Sequence, residues 1–291
     1  EEPIPLSQVL PVLENLGLKV IDEVPHRVTL HADGSPNVII HDFGVESESG
    51  RTINLEVFRS RFIEAFAAVW YGLAESDRLN ALILDADLSW RDAVVLRTYA
   101  RYLRQAGMPF SQRYIEHAVV SNAGLAGLIV ELFRTLFDPA QSDRDSQAEA
   151  KRTRIGLLLD QVVNADDDRI LRRFLNLVEA TLRTNYFQPA EGGDVKPYLA
   201  IKLDSAKVED LPLPRPMVEI FVYSPRMEGI HLRGGRVARG GIRWSDRRED
   251  FRSEVLGLMK AQMVKNAVIV PVGAKGGFVV KQAPDPADRE A

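Results

Sequence analysis

The spacing of apolar residues changes twice along the chain. Leu6, Val9, Leu10, Val12, Leu13 and Leu16 recur mostly every three or four residues and stop at Gly17, which predicts a short amphipathic helix with a glycine C-cap. Leu18–Glu23 and Asn37–Asp42 then predict strands separated by the turn signal Asp33-Gly34-Ser35-Pro36. From about Leu55 to Phe187 the period is helical. Val57, Phe58, Phe62, Ala65, Phe66, Val69 and Trp70 form one stripe, and Ser89 is placed to cap a helix running through Tyr99 and Leu103 to Gly107-Met108-Pro109. Ser111 heads a helix expected to run unbroken from Tyr114 to Phe137, and Arg154–Tyr186 predicts two helices split at Asn164–Asp168. The polar run Gln141–Gln147 reads as a solvated connection or a helix start. After Gln188-Pro189 the period drops to two, and Leu199–Leu203, Val218–Tyr223 and Glu228–Arg233 predict strands. Leu211–Pro216 is an extended connector, followed by a helix over about 249–265 and a strand over Ala267–Val272.

This pattern predicts an α+β multidomain chain. Its first part, a helix and two strands over 1–54, resembles an ACT-like regulatory module lacking its first strand. A helical bundle follows over 55–188, and a β-rich α/β layer over 189–291. The aromatic stripes of the bundle read as core, and the triplet Asp166-Asp167-Asp168 as acids favoured at a helix N-terminus, since no calcium-loop spacing follows it.

Composition narrows the classes. The chain has 291 residues, 45% hydrophobic and 27% charged, an ordinary globular balance, and no cysteine. Disulfides and thiolate metal sites are excluded, which fits a reducing compartment. The five histidines lack metal-ligand spacing, and no apolar run is long enough to cross a membrane as a helix. A soluble, cytoplasmic protein is expected. The start without Met and the end in Pro284–Asp288 predict an internal piece of a longer polypeptide. Net charge is −4, yet Arg233–Arg252 holds seven arginines against three acids. Arg247, Arg248 and Arg252 are expected to form surface salt bridges with Asp246, Glu249 and Asp250. Nucleic-acid binding is a weaker alternative, because aromatic residues are sparse among them, Trp244 and Phe251, and no recognition motif accompanies them.

The remaining cations carry the candidate chemistry. Gly240 and Gly241 leave Arg239 uncovered, and its planar guanidinium suits a carboxylate gripped by two hydrogen bonds. Gln262 and Lys265, three apart on one helix, share a face and suit a second carboxylate. Lys275 stands between Gly273-Ala274 and Gly276-Gly277 in an expected glycine loop and is the candidate proton-exchanging group. The loop lacks the Gly-Lys-Ser/Thr of a phosphate loop, and G-x-G-x-x-G occurs nowhere in the chain.

Taken in order, Arg239-Gly240-Gly241-Ile242-Arg243, Gln262-x-x-Lys265 and Pro271–Gly277 resemble the substrate-binding segment of amino-acid dehydrogenases. Gly240–Lys281 is similar above all to the large-subunit, NAD-specific glutamate dehydrogenases of bacteria. The resemblance implies that Arg239, where the wider family has lysine, binds the side-chain carboxylate of the substrate. It implies that Gln262 and Lys265 hold the α-carboxylate and that Lys275 activates water. The parent would oxidatively deaminate L-glutamate to 2-oxoglutarate and ammonia, would be a homo-oligomer, and would bind NAD in a domain absent from this chain. No nucleic-acid or membrane partner is expected. The competing reading is a regulatory or interaction scaffold whose C-terminal loop binds a carboxylate without chemistry.

Overall fold

The computed structural model describes residues 4–28, 38–265 and 272–283, with the side chains of Val57 and residues 263–265 outside that description. It comprises two compact units, residues 1–93 and 94–291. In the first, α1 (Leu6–Asn15) leads through Gly17, whose φ of +85° supplies the left-handed cap, into the antiparallel hairpin of β1 (Leu18–Val28) and β2 (Val38–Ser47). The Asp33–Pro36 turn lies outside the described residues. Then come α2 (Leu55–Trp70), capped by Asn54 through Glu56 N–H at 3.1 Å, and the short α3 (Leu82–Asp85). Leu13, Leu18 and Leu84 form one small core with Val20, Phe43, Phe58 and Phe62 around it. The helix α4 (Trp90–Gln105) starts at a reciprocal cap: Ser89 Oγ accepts from Asp92 N–H at 3.2 Å, while the Asp92 carboxylate accepts from Ser89 N–H at 3.0 Å.

Two of the expected helices differ in the second unit. The segment expected as one helix from Tyr114 to Phe137 is α5 (Gln112–Ser121) and α6 (Ala123–Phe137), bent by 95°. The break falls at Asn122, whose side chain donates to Ala118 O at 2.8 Å and takes over a carbonyl that the helix would otherwise use. Ser111 caps α5 as expected, accepting from Tyr114 N–H at 3.2 Å. Among the described residues no single helix is long and apolar enough to span a membrane. Next is α7 (Arg144–Leu159), so the polar run at 141–147 includes a helix start. Asn164 caps α8 (Ala165–Ala180) through Asp166 and Asp167 N–H, with the three aspartates in its first turn. The chain does not continue as helix to Tyr186. Thr181–Thr184 forms β3, because β-branched Thr181 turns its hydroxyl to Leu177 O (2.7 Å) and Tyr99 Oη (2.8 Å) while the backbone pairs in a sheet.

That sheet is completed by β4 (Leu199–Asp204), β5 (Val218–Tyr223), β6 (Met227–Arg233), β7 (Ile242–Trp244) and, after α9 (Phe251–Lys265), β8 (Ala274–Val280). Among the described residues the order is β3-β4-β5-β6-β8-β7, antiparallel except for the parallel pair β7 and β8, which α9 joins as a βαβ unit. The strand expected at Ala267–Val272 lies outside the described residues, apart from Val272, which is not in a strand.

Ile201, Leu203, Phe221, Tyr223 and Leu232 are fully buried, and Tyr102 of α4 meets Phe221 edge-on with ring centroids 5.8 Å apart. Beside them lies a buried ion pair. Arg252 of α9 donates from Nε to Glu219 Oε2 (2.8 Å) and from Nη2 to Oε1 (2.5 Å), and neither side chain reaches solvent. Tyr102 Oη also donates to Glu219 Oε2, at 3.0 Å, and Gln105 Oε1 accepts from Arg252 N–H at 3.2 Å. Burial opposes the Arg252 charge, but the Glu219 carboxylate outweighs it and holds the guanidinium above its ordinary pKa. Burial, and then the Glu219 charge, push the Tyr102 phenol well up. The surface pairing expected for Arg252 is therefore corrected: its helix position faces the sheet, and a buried carboxylate is nearer than the exposed acids. Arg248 likewise donates to Val280 O at 3.1 Å, whereas Arg247 pairs with Asp250 as expected.

Replacing Arg252 with Met leaves Glu219 charged without its partner, and the unfolding free energy of the 291-residue chain should fall by about 3–5 kcal/mol in urea titrations. Adding Glu219→Gln should cost less than the sum of the two single changes, because the pair acts as a unit.

Candidate active site

Lys275 is on a strand. The glycine loop expected around it is β8, paired on one side with β6 (Leu232 opposite Lys275, Ile230 opposite Gly277) and on the other with β7 (Ile242 opposite Gly276). Its glycines serve close packing instead of turning. A side chain on Gly277 would overlap Val255 of α9, so the bare glycine lets the helix sit directly on the strand. Side chains alternate along a strand, so Lys275 projects from the same α9-covered face as Gly277.

The Arg239-Gly240-Gly241 segment runs parallel beside it. Ala274 N–H donates to Arg239 O at 3.1 Å, Gly276 N–H donates to Gly241 O at 2.9 Å, and Arg239 bridges Gly273. Gly240 allows this approach, since an added Cβ would fall on the Ala274 carbonyl. The register puts Arg239, Gly241 and Arg243 on the face of Lys275. A Cβ on Gly241 would lie 4.0 Å from Lys275 Nζ, so the missing side chain leaves space next to the ammonium. Arg239 is exposed, Lys275 is partly buried, and among the described residues neither has a carboxylate partner.

Gln262 is partly buried on α9, seven residues beyond Val255 and so on the helix stripe that faces β8. Lys265 is the last residue of α9, and its side chain lies outside the described residues. The structure thus brings Arg239, Gly240 and Gly241 against Lys275 and places Gln262 on the helix covering that face. The pairing of Gln262 with Lys265 rests on their spacing.

Two neighbours escape the sequence reading. Glu254, in the first turn of α9, accepts from Ser245 Oγ at 2.6 Å and lies 3.4 Å from Arg243 Nε. Their only sequence signal is an acid in a helix's first turn, a common feature. His231 stands opposite Gly276 and so on the other face of the sheet. Burial, and then the Arg233 guanidinium, depress its pKa below the ordinary histidine value. With the folded pKa lower than the unfolded one, the unfolded chain takes up its proton first as pH falls. The stability tied to neutral His231 is complete above the unfolded value of about 6.5 and is lost as pH drops through the folded one. The melting temperature should therefore fall less between pH 7.5 and 5.5 for His231→Gln than for the natural chain, as read by circular dichroism.

Comparison with known proteins yields three family models in order along the chain. "Glutamate dehydrogenase, ACT3 domain" matches residues 1–58, "Glutamate dehydrogenase, helical motif 3" residues 74–139, and "Bacterial NAD-glutamate dehydrogenase, catalytic domain" residues 154–291. The NAD-specific glutamate dehydrogenase of Halomonas elongata is 54% identical over 99% of this chain, and that of Mycobacterium tuberculosis 50% identical over 98%. The Pseudomonas aeruginosa protein of the same name is 48% identical over 98%. The chain spans 18% of the length of each of these relatives. ACT3, helical-motif and catalytic-domain models thus follow one another along the chain, relatives of 48–54% identity match it over nearly all of its own length, and the chain belongs to the bacterial NAD-specific glutamate dehydrogenase family.

Proposed function

We propose that this chain provides the substrate-binding part of an enzyme that oxidatively deaminates L-glutamate to 2-oxoglutarate and ammonia with NAD. The observation that carries this reading is the alignment of Arg239 and Gly241 with Lys275 on one face of the β7–β8 pair, two cations that among the described residues have no carboxylate partner, around a space left by Gly241. A dicarboxylic amino acid supplies the missing anions. Arg239 takes the side-chain carboxylate in a two-bond grip, Gln262 and Lys265 take the α-carboxylate, and Lys275 Nζ gives and takes the proton of the reacting water. Segments 1–54, 55–188 and 189–291 are read as the ACT-like, helical and catalytic parts of this parent, which we take to be a homo-oligomer.

NAD, the cofactor in the relatives' names, does not fit the residues described here. A dinucleotide needs a glycine-rich turn between a strand and a helix N-terminus. The βαβ unit of β7, α9 and β8 opens instead on Ser245-Asp246-Arg247-Arg248-Glu249-Asp250, without glycine and with acids at the helix start. Another part of the parent must hold the cofactor. A non-catalytic scaffold has less support, since the relatives that match nearly the whole chain bear the name of an enzyme. Nucleic-acid binding also weakens, because Arg247, Arg252 and Arg243 are engaged with carboxylates.

In the full-length parent, Lys275→Ala should lower kcat for glutamate-dependent NAD reduction by about 10²–10⁴-fold, the usual scale of proton-transfer catalysis. Arg239→Met should raise KM for glutamate while changing little for an amino acid without a side-chain carboxylate. The purified 291-residue chain should reduce no NAD, and turnover by it would overturn the reading.

A further inference from the structure

Resting on the glutamate-site reading above, we propose that Glu254 is a positioning residue: it ties the strand carrying the Arg239–Arg243 cations to α9, so that both sides of the substrate site move as one body.

β7 needs such a tie. Among the described residues it is a three-residue strand at the edge of the sheet, with Ile242 70% and Trp244 64% exposed, and so it has little side-chain packing to orient it. Its hydrogen bonds to β8, Gly276 N–H to Gly241 O and Ser245 N–H to Phe278 O (2.8 Å), set its distance from that strand. They do not set its tilt towards the helix. That is left to Glu254, whose carboxylate holds Ser245 at the end of β7 by a 2.6 Å hydrogen bond and Arg243 by an ion pair at 3.4 Å. Ser245 is buried, and its Oγ also accepts from Arg247 N–H at 3.1 Å, which fixes the hydroxyl between the strand's exit and the helix.

The tie acts on the site in two ways. Arg239 is four residues before Arg243 on the same extended face, so a tilt of β7 displaces it relative to Lys275 and Gln262. Glu254 also occupies Arg243, which among the described residues leaves Arg239 and Lys275 as the cations of this strand pair without a carboxylate partner. Without it, Arg243 could take a substrate carboxylate itself and bind glutamate out of register.

The test is the kinetics of the full-length parent enzyme. Glu254→Ala should raise the glutamate KM about tenfold, the scale of a lost hydrogen bond to a charged group, with kcat and the NAD KM little altered. Glu254→Gln keeps an acceptor for Ser245 and should give a smaller rise, and it serves as the variant if Glu254→Ala does not fold. Ser245→Ala combined with Glu254→Ala should be no worse than Glu254→Ala alone, because both remove one tie. An unchanged glutamate KM in the Glu254 variants, additive effects of the two changes, or equal rises in the KM for glutamate and NAD would each overturn the proposal. Failure of the natural enzyme to reduce NAD with glutamate would instead overturn the function on which it rests.

Discussion

Glu219 and Arg252 face each other with no access to water, and the arrangement of the second unit depends on that pairing. Taking two charges out of solvent costs several kcal/mol each, and their attraction offsets this only with good geometry and satisfied neighbours. Here the guanidinium makes two hydrogen bonds to the carboxylate, Tyr102 adds a third, and Gln105 receives the Arg252 backbone. Three elements, α4, β5 and α9, are thereby fixed at one point. A slide of α9 by a single turn would leave a buried charge alone, so the helix has one allowed register on the sheet. That register decides where Glu254 and Gln262 stand.

The second constraint is absence of side chains. Val255 packs into the space above Gly277, and the Arg239–Gly241 strand lies against Ala274 because Gly240 presents only backbone. The glycines bring three segments closer than side chains would permit, and the candidate site lies where they meet. The electrostatics follow from the same packing. Arg252 is drawn inward to Glu219, Arg247 is taken by Asp250, and Arg243 by Glu254, so three of the seven arginines between 233 and 252 are held by carboxylates. Among the described residues Arg239 and Lys275 are left without a carboxylate partner on the face that α9 covers, an arrangement suited to a small dianion and ill suited to a polyanion.

Much of this architecture is legible from spacing. Helix ends at Gly17, Ser89, Ser111 and Asn164 follow from local capping chemistry, which depends on a few adjacent residues. The strands β4, β5 and β6 follow from period-two alternation. The identities of Arg239, Gln262, Lys265 and Lys275 as candidates also follow from local spacing, as does the likeness to the glutamate dehydrogenases that the comparisons bear out.

Other features depend on residues far apart in the chain. The change from helix to strand at Thr181 follows from where the backbone finds its next partner, in β4. Lys275-Gly276-Gly277 has the composition of a turn but lies in a strand, because β6 and β7 flank it and α9 needs the room above Gly277. Arg252 reads as one more surface arginine until Glu219, 33 residues earlier, is seen beneath it. Capping and periodicity are short-range and can be read along the chain. Pairing, burial and the choice of ion partner are properties of distance in space, and those arise only once the sheet has formed.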